Sequence, residues 1–471
     1  MRLPLASGSI ALLLVLPAAL PAFAHRGHSI RVGRHREDGR PGVTAAQLGP
    51  LLDALGKSDP LVCTLAVDSV AAGLHFGRTV EAPGEDAAAR QLEAILQRPV
   101  TSPDAIAVLA GRLGDPSGCV RRAAAELLGR SDSPEALARL RTALAAARAS
   151  ERQAAALGLG ERSDPSTHEL LERALRDSDA AVAATAAWAL GGLEDARSVP
   201  ALLEAAGETD VRVRRAAVVA LGDLEDRRAI PVLLDRLRDA DARVREAAAE
   251  ALGEIGDREV TPALGKALDD RDTEVRLAVV RALAHLEDAR AFDTLVRGLG
   301  DADARVRETA AEALGGMEDA RALGVLARAL RDGAARVRSA AARALGQLEN
   351  PGAAQPLAAA LKDADPEVRR QAADSLGNLE LSQAPANLSA ALRDGDRSVR
   401  EAAAESLGDI HDPATAAALT AALQDAVRDV RRAAARALAH LETPAARQAL
   451  RSALADADPE VRREAVRALG R

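Results

Sequence analysis

The chain has 471 residues, a formal net charge of −8 and 1% aromatic residues, with no Tyr, one Trp and three Phe, against 48% hydrophobic residues overall. Apolar content carried by Ala, Leu and Val excludes large separate cores, aromatic ligand cages and base-stacking surfaces for single-stranded nucleic acid, and favours helices packed closely on small side chains. Charge of both signs in near balance leaves no basic nucleic-acid footprint.

In chain order, residues 1–24 read as a secretory signal peptide: Arg2 is the basic start, Ile10 to Leu16 the apolar stretch, and Ala22-Phe23-Ala24 the small-residue cleavage site. An exported protein, periplasmic or secreted, is therefore expected to begin at His25. Pro17 and Pro21 favour cleavage over retention as an anchor, and no later stretch is long and apolar enough to span a bilayer. Residues 25–40 form a basic leader with Arg26, Arg31, Arg34 and Arg36 among glycines. His25, His28 and His35 offer nitrogen ligands of the kind copper takes, but this setting reads as a flexible leader, and no metal or cofactor is expected. Cys63 and Cys119 are the only cysteines; they lack zinc-finger spacing, and export permits a disulfide between them, the alternative being two small core residues. Residues 41–100 read as an atypical N-terminal capping region. Leu48, Leu51, Leu52 and Leu55 lie in a first helix and Asp59-Pro60-Leu61-Val62 opens a degenerate second one. Residues 72–100, with a helical stretch at 86–97, then interrupt the period.

Residues 101–471 are a repeat. The run Val244-Arg245-Glu246-Ala247-Ala248-Ala249-Glu250-Ala251-Leu252-Gly253 recurs, and its last residue marks the period: Gly129, Gly160, Gly191, Gly222, Gly253, Ala284, Gly315, Gly346, Gly377, Gly408, Ala439 and Gly470, each 31 residues from the next. Each of the twelve copies predicts two helices. The first is amphipathic, as Ala229, Val232, Leu233, Leu234 and Leu237 show. The second opens on an Asp cap followed by Pro and Glu, as in Asp365-Pro366-Glu367 and Asp458-Pro459-Glu460. The marker Gly is expected to end this helix in a left-handed cap. Leu193, Leu224, Ile255, Leu286, Met317 or Leu348 then seals the turn, and Asp195, Asp226, Asp257, Asp288 or Asp319 caps the next first helix. No pair buries its apolar face alone, so an all-α solenoid of stacked antiparallel pairs follows.

Asp and Arg recur six residues apart: Asp239 and Arg245, Asp270 and Arg276, Asp301 and Arg307, Asp332 and Arg338, Asp363 and Arg369, Asp394 and Arg400. Their repetition predicts a structural ladder, with Arg forks bonding loop carboxylates within or between units, rather than a catalytic or anion site. Three residues before each marker a mostly charged column, expected to be exposed, becomes apolar at Leu157, Trp188 and Val219. This strip is the candidate partner-binding surface, with Trp188 as its centre; the alternative is that Trp188 fills core space. The alternation Glu250, Arg281, Glu312, Arg343, Asp374 in the same column predicts ion pairs between neighbouring units. Arg432, Arg436, Arg463 and Arg467 give a basic C-terminal face amid Asp and Glu, read as solvated surface.

The run V-R-x-A-A-A-x-A-L-G and the Asp and Arg six apart resemble HEAT repeats, specifically the short HEAT-like type of phycobilisome bilin lyases, over residues 101–471. A more distant resemblance is to deoxyhypusine hydroxylase, which implies a di-iron site with His after the repeat Arg. Here Arg215, Glu246, Leu277, Glu308, Ser339, Arg370, Glu401, Arg432 and Arg463 follow it, and the only His-Glu pair, His168-Glu169, lies in a first helix. No fingerprint of a hydrolase elbow, zinc protease, P-loop or dinucleotide fold is present. The expected function is a non-enzymatic exported scaffold that binds a protein partner. The alternatives are a lyase or hydroxylase relative, and a nucleic-acid reader like HEAT-like DNA glycosylases, which the acidic charge disfavours.

Overall fold

The computed structural model describes residues 42–57, 99–162 and 164–470. The signal peptide, the basic leader with its histidines, Cys63 and the expected elements at 59–62 and 86–97 lie outside these residues. No strand occurs among the described residues, and twelve helix pairs run from Pro103 to Leu469, preceded by a helix at Ala45–Lys57 that packs on the first pair. Second helices lie side by side along the array, and each first helix packs on the second helix of its own repeat. The architecture is an all-α solenoid.

The caps act as the sequence indicates. Asp365 Oδ1 accepts from Glu367 N at 2.9 Å and Asp458 Oδ1 from Glu460 N at 2.8 Å, which satisfies donors left open at the helix start. Asp195, Asp226, Asp257, Asp288 and Asp319 each accept from the backbone two residues on. In repeats such as the fourth, the first helix is not one continuous α-helix: Asp226 caps a single 3-10 turn, Arg227–Ala229, which leads into Ile230–Arg236 with Pro231 in its first turn. Ala229, Leu233 and Leu237 are buried, and Val232 and Leu234 are half-buried.

The marker glycines play a different part from the expected caps. They do not form left-handed caps; most lie within the second helix, which runs on past them, as in Ala180–Gly192 and Ala242–Ile255, while Gly129 and Gly377 are the last residues of theirs. The left-handed residue stands three places later. Among the described residues it is glycine only at Gly256 (φ 70°); in the other repeats from three to eleven it is Glu194, Glu225, Glu287, Glu318, Glu349, Glu380, His411 or Glu442. The reason for glycine at the marker is instead the neighbouring backbone. A methyl on Gly191 would stand 2.8 Å from Ala220 Cα, and one on Gly315 2.7 Å from Ala344 Cα. The same seam recurs at Gly160 with Ala189, Gly253 with Ala282 and Gly408 with Ala437. Gly at one helix and Ala or Ser two residues before the next marker thus let successive backbones meet with nothing between them.

Gly191→Ala should cost about 1–3 kcal/mol by overpacking this seam. Gly192→Ala, next in the same helix with open space around it, should instead stabilise by up to about 1 kcal/mol through helix propensity. Urea unfolding of the two variants checks this; equal effects would contradict the seam.

Candidate functional site

The recurring Asp and Arg build one continuous device. Arg307 donates from Nε and Nη2 to Asp332 of the next repeat, both at 2.8 Å, and from Nη1 to the carbonyls of Asp301 and Ala302 in its own repeat at 2.9 and 3.1 Å. Asp332 Oδ1 also accepts from Ala334 N at 2.8 Å. The residue six before each Arg therefore contributes its carbonyl, and the carboxylate comes from 25 residues ahead. The same fork joins Arg152 to Asp177, Arg214 to Asp239, Arg245 to Asp270, Arg276 to Asp301, Arg338 to Asp363, Arg369 to Asp394, Arg400 to Asp425 and Arg431 to Asp456. The Arg307 fork holds the Asp332 carboxyl below its ordinary range against the opposing effect of burial. These rungs lie mostly out of water and fix each repeat's rotation on the next.

The ladder fails at one place in both partners. Between repeats three and four the Arg position is Ala183 and the carboxylate position is the exposed Glu208. The 31-residue period already contained this signal, which the six-residue spacing alone concealed. The second helix of repeat three, Ala180–Gly192, has no charged side chain at all. It carries Trp188, half-buried against the core between the likewise half-buried Leu157 and Val219 of the flanking repeats. The strip is thus neither fully exposed nor sealed: each side chain packs inward and shows part of its surface.

The column containing the strip is less uniform than its charges suggest. Arg281, Glu312, Arg343, Glu405, Arg436 and Arg467 are exposed, and Arg343 pairs with Glu312 of the preceding unit at 3.1 Å. Asp374 pairs within its own helix, with Arg370 at 2.6 Å. At the basic C-terminal face Arg463 and Arg467 pair with Glu460 and Glu464. Glu126, expected to be exposed, is 2% exposed. Its Oε1 accepts from Arg122 Nε at 2.8 Å, and its Oε2 has no hydrogen-bond partner. Burial, which Arg122 only partly offsets, pushes its carboxyl up to about 7, and burial raises Glu161 in the second helix of the next repeat as well. Charge at the same position in eight other repeats could not reveal that the first repeat folds this position inward.

Cys119 is disulfide-bonded, and Cys63, the chain's other cysteine, lies outside the described residues. His168 starts the α-helical part of a first helix and is buried, its Nδ1 4.0 Å from Glu172 rather than paired with Glu169. Among the described residues no group of three or more His, Cys, Asp or Glu is placed to hold a metal ion, and no helix is long and apolar enough to cross a membrane.

The family profile described as HEAT repeats matches residues 85–160, 167–253, 230–314, 292–365, 356–432 and 417–471. The chain belongs to the HEAT-repeat family. No curated protein matches it. Among solved structures, importin beta crystallised in an ammonium sulfate condition superposes on this HEAT array with a TM-score of 0.62 at 17% identity, over 90% of this chain and 69% of that one. A structure of Kap95p with RanGDP gives 0.59 at 14% identity, over 91% and 73%, and a Kap95:Nup1 complex gives 0.56 at 14%, over the same shares. At these identities the likeness is one of fold.

Arg307→Ala should cost about 1–3 kcal/mol, because it strips a carboxylate and two carbonyls of their donors. Arg212→Ala, whose exposed fork binds only the cap Asp210 of its own helix, should cost less than about 1 kcal/mol. Urea midpoints distinguish the two. Glu126 gives a pH test. Its folded pKa lies above the unfolded one, so its favourable neutral form is fully present below 4.5 and is lost as pH rises through about 7. Glu126→Gln should therefore gain stability over the parent as pH rises through that window; a difference independent of pH would contradict it.

Proposed function

We propose that this HEAT array is an exported, non-enzymatic scaffold that binds a partner protein on its second-helix surface, centred on Leu157, Trp188 and Val219. The observation that carries the reading is the charge-free helix of repeat three at the interior interface missing both ladder partners. A single large aromatic flanked by apolar neighbours, in a column charged in all other repeats, has the composition of an interaction hot spot. The solenoids it resembles in fold are seen with RanGDP and with Nup1, which supports protein binding as the use of such a surface. Export rests on the signal-like residues 1–24 and agrees with the disulfide at Cys119.

The bilin-lyase type of repeat remains a likeness of motif, and iron chemistry of the hydroxylase kind finds no His after any repeat Arg to carry it.

The test is capture by the mature chain from the native envelope fraction, with the partner then titrated in purified form. Trp188→Ala should weaken binding by at least about tenfold, and binding should shield Trp188 emission from a soluble quencher. Unchanged affinity with unchanged quenching would refute the strip. Copurification of a metal or chromophore in place of a protein would refute the scaffold reading.

A further inference from the structure

At two interfaces the seam that joins second helices carries a wedge. Ala284 and Ala439 occupy the marker position, and both sit in the same heptapeptide, Arg281–Glu287 and Arg436–Glu442. Elsewhere in the array a methyl at this position would lie 2.6–2.9 Å from the next helix, at Gly160, Gly191, Gly253, Gly315 or Gly408. At Ala284 and Ala439 that methyl exists, so the next helix has to stand off. Across the interfaces that follow these two residues, the Cα traces of Thr273–Leu286 and Ala304–Gly316, and of Arg428–Leu441 and the shorter Pro459–Leu469, run close to each other over the least extent among the successive second helices. Burial agrees: Ala313, facing Ala284, is 8% exposed, whereas the matching Ala220 and Ala344 are 0% exposed.

The ladder stays closed at both places, with Arg276 on Asp301 and Arg431 on Asp456, each at 2.7–2.8 Å. Each such interface is therefore pinned at the start of the second helix and propped open near its end. Rung and wedge are eight residues apart, about 12 Å along a helix. Moving a contact from under 3 Å to a normal carbon separation needs roughly 1 Å, or about 5° of opening about the rung.

We propose that Ala284 and Ala439 make two built-in joints, so that the solenoid flexes between repeats six and seven and between eleven and twelve while the glycine-seamed stretches move as rigid plates. The joint changes the curvature of the second-helix surface without breaking a polar contact, since the Arg fork acts as the pivot. This inference does not depend on which partner the surface binds.

The test measures distances between spin labels on Glu204→Cys and Ala359→Cys, exposed and at equivalent places in the first helices of repeats four and nine. The unsubstituted chain, with Cys119 already disulfide-bonded, serves as labelling control. Ala284→Gly should narrow the distance distribution and shift its mean by about 2 Å, the reach of a 5° change over two to three repeats. Gly253→Ala, a new wedge at a tight seam, should broaden it. A distribution unchanged by Ala284→Gly overturns the proposal whether or not Gly253→Ala folds, because removing a methyl introduces no clash.

Discussion

The contact on which the array depends is that of one second helix against the backbone of the next, across a glycine on one side and alanine or serine on the other. Helices this close have no room for large side chains, which is why a chain nearly free of aromatics can still bury a continuous core. Each repeat supplies a thin layer of Leu, Val and Ala and borrows the rest from its neighbours, so stability is a sum of local terms rather than the property of one centre. The glycines weaken the isolated helix, and the packing they permit offsets that cost.

Close approach alone would let helices slide and rotate. The Arg–Asp ladder removes that freedom: each rung's guanidinium fixes one or two carbonyls of its own loop and a carboxylate of the next, in planar geometry that Lys could not reproduce. Seam and ladder act at opposite ends of the second helix, and where one is altered the other persists. At Ala284 and Ala439 the seam is widened and the rung kept; between repeats three and four the seam at Gly191 is tight and the rung is gone. That the second case also holds Trp188 and a helix without charge is what makes this part of the surface the proposed partner site.

Much of this was legible from the period. The repeat, the Asp caps, the helix pairs and the residues of the ladder all follow from identical spacing, because a 31-residue translation maps every contact onto the next. What the sequence hid were relations across that translation. Asp239 and Arg245 are near in the chain, yet Arg245 takes only the Asp239 carbonyl, while its carboxylate partner is Asp270 and the Asp239 carboxylate receives Arg214. Gly191 looks like a cap because it nears a helix end, whereas the left-handed turn is left to Glu194 at about 1–2 kcal/mol of backbone cost. Glu126 looks exposed because its equivalents are charged, and only packing at the first repeat shows it buried. The half-burial of Leu157, Trp188 and Val219 fell between the exposed and core readings for the same reason, since inward packing and remaining surface are both set by neighbours one repeat away.

The central claim is that each repeat recognises only its neighbour, through a seam and a rung that recur every 31 residues. Deleting residues 317–347 removes one full period and should leave Gly315 facing Ser375 and Arg307 facing Asp363. Deleting 317–346 leaves one extra residue, Gln347, in the turn and puts the seam and rung of that one junction out of register. In urea unfolding followed by circular dichroism, the first variant should keep a cooperative transition with a smaller denaturant slope, and the second should lose cooperativity. Equal behaviour of the two deletions would contradict the account.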